Sequence, residues 1–216
     1  MNIEKTIYDI AVYAIPVLLA ITLHEFSHGW VANKLGDGTA RMLGRLTLNP
    51  IKHIDPIGTI VLPLAMVLMQ TGFIFGWAKP IPVNTRNLKK PRKDMAIVAI
   101  AGPLSNLFMA MLWLILLIVI KLFSSVHGAS GIVWGLTQMA MVGVLVNMLL
   151  CLFNLVPIPP LDGGRVLSSL VPPKVSDVLD KIEPYGIFVI LGLFYFKILD
   201  ILPILAYIEA SIYSFL

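Results

Sequence analysis

The stretch IYDIAVYAIPVLLAITLHEFSH, Ile7 to His28, runs an apolar segment straight into two histidines and a glutamate. Ile7–Leu23 has close to the length a helix needs to cross a roughly 30 Å hydrocarbon layer. Continuing that helix through His24-Glu25-Phe26-Ser27-His28 puts the two histidines, four apart, on one face, where two imidazole nitrogens can hold one zinc ion. Glu25 then lies next to the metal and not on it, and its carboxylate can take a proton from water that zinc has brought towards a pKa of about 7. The alternative is a chance arrangement of satisfied polar groups. Position argues against it, because an ionisable residue near the centre of a spanning helix costs about 2.5 to 3.5 kcal/mol to insert.

The rest of the chain has the same solvent. Of 216 residues, 58% are apolar and 13% charged, with a mean hydropathy of +0.89. That balance excludes an ordinary water-soluble domain and predicts an all-α polytopic membrane protein. Further apolar runs lie at Ile57–Ala78, Met95–Ile120 and Ile132–Leu161, with another near Gly186–Tyr207 interrupted by Lys197 and Asp200, a pair spaced to neutralise each other on a helix. No repeat or long polar tract divides residues 1–216, so a single membrane-embedded domain is expected. Met1–Thr6 holds one Lys and one Glu with no small-residue cleavage site after the apolar run, so no removable signal is expected. The lone Cys151 excludes an internal disulfide. The net charge of +4 comes from basic residues grouped between apolar runs, where membrane orientation accounts for them and no nucleic-acid partner is expected.

Two imidazoles leave a catalytic zinc site short of a ligand. His53 and His127 sit in apparent loops. Asp162 follows the long run, in Asn154-Leu155-Val156-Pro157-Ile158-Pro159-Pro160-Leu161-Asp162-Gly163-Gly164, where prolines and glycines can bend backbone around a metal. The same aspartate could equally be a helix N-cap. In Gly76-Trp77-Ala78-Lys79-Pro80-Ile81-Pro82-Val83-Asn84, alternating prolines forbid a helix and permit a short β-hairpin-like strand or a simple loop.

With HExxH in one apolar segment and Asn-x-x-Pro-x-x-x-Leu-Asp-Gly at Asn154–Gly163 in another, the sequence resembles the site-2 protease family of intramembrane zinc metalloproteases. The likeness is to its compact form without a PDZ domain. It extends through Ala101-Gly102-Pro103-Leu104-Ser105-Asn106 and Gly76–Asn84. The resemblance implies one Zn2+ per chain held by His24, His28 and Asp162, with Glu25 as base and Asn154 orienting substrate or stabilising the oxyanion. It also implies a membrane-anchored substrate with a transmembrane helix. Asn106 could bond substrate or the metal's surroundings, or bridge helices. Gly76, Trp77, Pro80 and Pro82 are candidate substrate contacts, since an extended substrate could add to that stretch by backbone pairing. A zinc transporter or a catalytically silent binder of membrane proteins would share the ligands; Glu25 discriminates.

Zinc geometry constrains topology. If every run crossed, the helices leading to His24 and to Asp162 would be antiparallel and their ligands would miss each other. One run must not cross, and Ile57–Ala78, broken by Pro63 and Gly72, reads as a re-entrant segment. Four full transmembrane helices remain. Thirteen of the 16 Lys and Arg then share one side, against Lys5 and Lys121 on the other. The positive-inside rule therefore predicts a multi-pass inner-membrane protein with its site towards the cytoplasm.

Overall fold

The computed structural model describes residues 3–69, 76–127, 131–196 and 201–215, and every regular element among them is helical. Helix α1 (Ile3–Leu35) runs for 33 residues, about 50 Å at 1.5 Å per residue, and carries His24, Glu25 and His28 in its second half. It ends at Gly36, whose φ of 116° belongs to the left-handed region that a β-carbon disfavours. Asp37 follows and binds three residues, accepting from the main-chain N–H of Asn84 at 2.7 Å and from Asn87 Nδ2 at 2.9 Å, both in one distant turn, as well as from nearby Thr39.

After a short α2 (Thr39–Met42) and a tight turn at Pro50–His53, Pro56–Val61 winds as a π-type turn into α3 (Leu62–Leu68). These pieces of six and seven residues reach about 20 Å, less than the roughly 30 Å apolar layer. Residues 70–75, within the apolar run Ile57–Ala78, lie outside the described residues. The chain resumes where it left. Trp77 donates its N–H to the Gly58 carbonyl at 3.2 Å, and Thr59 Oγ1 donates to the Trp77 carbonyl at 2.8 Å.

The expected β-hairpin is absent among the described residues. Gly76–Asn84 is extended but has no strand partner, because Pro80 and Pro82 lack the N–H groups that a ladder uses. Its remaining donors go elsewhere: Lys79 to the His53 carbonyl at 2.9 Å, Ile81 to Glu25 and Asn84 to Asp37. Arg45 Nη2 holds it from outside, donating to the Lys79 and Pro80 carbonyls at 3.0 and 3.3 Å.

Helix α4 (Pro91–His127) begins with proline at its first position, which costs no bond there, and with Asp94 accepting the Lys90 N–H at 2.7 Å. Helix α5 (Gly131–Asn154) packs antiparallel to it. Residue pairs fix the directions. His28 meets Val98 and His24 meets Asn106, so α4 opposes α1; Asn106 meets Asn147 and Trp113 meets Gly143, so α5 opposes α4 and runs parallel to α1. Away from the histidines, Trp113, Leu117, Ile120, Ala140, Met141, Val144 and Ile212 form the apolar core. A β-carbon at residue 143 would strike the Trp113 ring, so glycine permits this close helix contact.

Among the described residues, two helical segments, Pro91–Ser124 and Gly131–Asn154, are long and apolar enough to cross a membrane. Their most apolar windows are only 17% and 33% buried, whereas a soluble core helix would be mostly covered. Leu104, Phe108, Met111, Ile115 and Val119 point outward uncovered, a surface that suits lipid. Beyond α5, prolines stop the helix as expected. The chain turns into α6 (Asp162–Leu170), α7 (Pro173–Ile182), α8 (Gly186–Tyr195) and α9 (Leu202–Phe215). The run near Gly186–Tyr207 is therefore not one described helix: its pieces hold 10 and 14 residues. Lys197 and Asp200, expected to pair, lie outside the described residues.

Candidate metal centre and active site

Helix α4 presents three features to α1 at four-residue spacing: the Val98 carbonyl, the bare backbone of Gly102 and the side chain of Asn106. The Val98 carbonyl accepts from His28 Nδ1 at 2.8 Å, and Asn106 Oδ1 accepts from His24 Nδ1 at 2.6 Å. With both protons committed to Nδ1, each Nε2 keeps a lone pair, the form in which imidazole binds metal. Gly102 makes room, since a β-carbon there would collide with both rings.

Into this space comes Asp162. His24, His28 and Asp162 are 8%, 7% and 6% exposed. Asp162 Oδ2 lies 3.2 Å from His24 Nε2 and 3.3 Å from His28 Nε2, and the two Nε2 atoms are 3.1 Å apart. Three acceptors thus face one another, and the buried Asp162 Oδ2 has no hydrogen-bond donor. A tetrahedral zinc with bonds near 2.0–2.1 Å sets its ligand atoms about 3.3 Å apart. The donor set and its spacing therefore fit zinc.

The N-cap alternative for Asp162 does not hold. Leu161 occupies the cap position of α6 and no side chain caps that terminus, which frees the Asp162 carboxylate to face the histidines. Gly163 and Gly164 bring it there: β-carbons at those positions would collide with the main chain of Leu155 and Pro159, so only glycines let this loop lie across the first turn of α6.

Glu25 lies beside the three, with Oε2 accepting the Ile81 N–H at 2.7 Å. A cavity of about 120 Å³ is lined by His24, Glu25, His28, Asp162, Asn154, Pro80, Ile81, Val83 and Arg165, among others. Asn154 closes α5 with Nδ2 donating to the Leu150 carbonyl at 2.9 Å. Asn106 bridges helices: it bonds His24 of α1 and also donates to the Ala20 carbonyl at 3.2 Å and to Asn147 Oδ1 at 3.0 Å. Gly76, Trp77 and Pro82 do not line the cavity; the Trp77 ring covers Gly58 instead. His53 takes no part and bonds the Thr47 carbonyl at 2.8 Å.

Ile81, Val83, Val98, Asn147 and Arg165 were not singled out by the sequence. Ile81 and Val83 could have been, as alternate apolar residues that share one face of an extended segment. Val98, Gly102 and Asn106 follow the helical four-residue spacing.

Two histidines a turn apart, a carboxylate from a distant helix and an adjacent non-ligating glutamate form the donor set of a zinc metallopeptidase. Known proteins agree. The description Peptidase family M50 matches residues 119–194. The chain is 45% identical over 180 residues to YwhC of Bacillus subtilis (strain 168), covering 83% of this chain and 78% of that protein. It is 32% identical over 177 residues to Rip2 of Mycolicibacterium smegmatis, covering 82% of this chain and 63% of that one. Both relatives bear provisional zinc metalloprotease names. A third, named zinc metalloprotease MJ0392, of Methanocaldococcus jannaschii, is 26% identical over 164 residues, 76% of this chain and 35% of that one. No solved structure matches. The chain belongs to peptidase family M50, the site-2 protease family, whose members are membrane metalloproteases that use zinc.

Proposed function

We propose that this chain is an intramembrane endopeptidase that hydrolyses peptide bonds within or near the transmembrane segments of membrane-anchored proteins. One observation carries the reading: Glu25, His24, His28 and Asp162 share a cavity within a bundle whose outer surface is exposed and apolar. Water and peptide meet there only after both enter the protein.

His24, His28 and Asp162 would hold the zinc. Bound there, zinc would supply a lowered pKa for the attacking water and polarisation of the carbonyl. Glu25 then accepts the proton of the attacking water and returns it to the leaving amine. Asn154 already gives one amide hydrogen to Leu150 and has its second for the developing oxyanion. The extended Pro80–Val83 borders the cavity, and a substrate unwound from its helix would lie along it, pairing by backbone.

For topology, α1, α4 and α5 have the length of crossings, and the apolar α8 and α9, each too short to cross by itself, would together supply a fourth. The Trp77–Gly58 contact supports a segment that enters and leaves the bilayer by one face. The distribution of Lys and Arg favours the inner membrane with the cavity towards the cytoplasm.

The test uses the purified chain in liposomes with a single-span substrate. Wild type should cut within the span, and Glu25→Gln should keep its zinc and cut nothing. Zinc flux without cleavage at any stage would instead make the protein a transporter.

A further inference from the structure

His24 does not stand alone on Asn106. Asn147 of α5, with no exposed surface, accepts from Asn106 Nδ2 through its Oδ1 at 3.0 Å and donates from its own Nδ2 to the Gly143 carbonyl at 2.8 Å. A backbone carbonyl can only accept. Gly143 therefore settles which end of the Asn147 amide faces it, and leaves Oδ1 pointing at Asn106. The two amide hydrogens of Asn106 are drawn to Asn147 and to the Ala20 carbonyl at 3.2 Å, so Asn106 Oδ1 must face His24. His24 Nδ1 must then carry the proton, and Nε2 the lone pair. The bonds run one way from helix to helix, His24 to Asn106 to Asn147 to the Gly143 carbonyl.

We infer that Asn147 is a positioning residue that holds His24 in its metal-binding tautomer, acting through Asn106 from two residues away. The inference rests on His24 being a zinc ligand. Reversing the Asn106 amide would put its NH2 against His24 Nδ1, force the proton to Nε2 and remove the ligand. Asn147 penalises that reversal because its own oxygen would then face the oxygen of Asn106. Partners behind a metal-bound histidine typically matter at the level of 10–100-fold in affinity.

A residue that only packed α5 against α4 would behave differently. Leucine, apolar and of similar volume, would replace such a residue well, and an aspartate would be the worse choice. The tautomer role reverses the order, since a buried, protonated aspartate donates its O–H to the Gly143 carbonyl and keeps an acceptor for Asn106, while leucine has neither. The experiment measures zinc affinity of the full chain by competition with a chromophoric chelator, and the protonation of His24 Nδ1 in zinc-free protein by 15N NMR. The expected results are Asn147→Leu about tenfold weaker for zinc, Asn147→Asp close to wild type, and His24 protonated at Nδ1 in the wild type. Asn147→Leu within twofold of wild type, or Asn147→Asp weaker than Asn147→Leu, overturns the inference. If the leucine variant fails to fold, the wild-type measurement still decides, because an unprotonated Nδ1 overturns it. A His24→Ala variant that keeps full zinc affinity would instead sink the ligand assignment itself.

Discussion

The main-chain N–H of Ile81 donates to the Glu25 carboxylate at 2.7 Å, which ties the extended segment to the group assigned as base. Removing the acceptor and removing the charge are therefore separable. Glu25→Gln keeps an oxygen for Ile81, and Glu25→Ala does not. Both should retain zinc and lose about 10²–10⁴ in cleavage rate. Hydrogen exchange at the Ile81 amide should accelerate about tenfold to a hundredfold in the alanine variant, as expected for losing a bond to a charged group, and change little in the glutamine variant. Equal exchange in the two would show that the bond contributes nothing to holding the segment.

At Gly102 a single methyl group is the probe. A β-carbon there would lie 2.6 Å from His24 Cε1 and also run into His28, and both rings are pinned by their Nδ1 bonds. Gly102→Ala should bind zinc at least tenfold more weakly while its helical circular dichroism stays unchanged. Metal analysis after dialysis against a weak chelator reads the difference.

Zinc that binds only the folded chain raises stability by about 2.7 kcal/mol at a hundred times its dissociation constant. Wild type should therefore melt at higher temperature when zinc is added. Asp162→Asn, which removes the anionic donor and keeps the volume, should show little or none of this rise. A zinc-induced rise as large as in wild type would remove Asp162 from the ligand set.

The pH dependence of folding has one identifiable contributor outside the spanning helices. Burial pushes the Asp37 pKa up, but bonds from Thr39, Asn87 and the Asn84 N–H outweigh it and hold the carboxylate below its ordinary 3.8. The unfolded chain therefore takes up a proton first as pH falls. The stabilisation is complete above about 3.8 and disappears as pH drops through the lower folded value. In denaturant titrations from pH 6 downward, wild type should lose its advantage over Asp37→Asn below pH 4. A constant difference between the two down to pH 2.5 would refute this.

The histidine pair was legible because one helical turn is local geometry, and no other part of the chain had to be known. Asp162 was harder: prolines and glycines marked where backbone could bend, but only the collision space over Gly163 and Gly164 separates a free carboxylate from a cap. Asn147 gave no signal, since one amide within an apolar helix does not announce its partner. The hairpin expectation failed for a related reason. Alternating prolines marked Gly76–Asn84 as extended, yet its bonds go to Glu25 and Asp37, dozens of residues away in the chain. At the other end, hydropathy averaged over Gly186–Tyr207 concealed the division into two shorter helices.

The space beside Glu25, about 120 Å³, has room for a few water molecules, whereas pockets that hold drug-sized ligands run to roughly 300–1,000 Å³. On the function proposed above, a polypeptide would displace part of the wall before it is cut. One piece of that wall is Pro80–Val83, a flap with no neighbouring strand, held by Glu25 and Arg45 through its backbone and by the buried Ile81 side chain packed over Gly29 of α1. Turnover would then be timed by how often that flap lets go, and a cross-link pinning it to α1 would silence the protease with every reacting group intact.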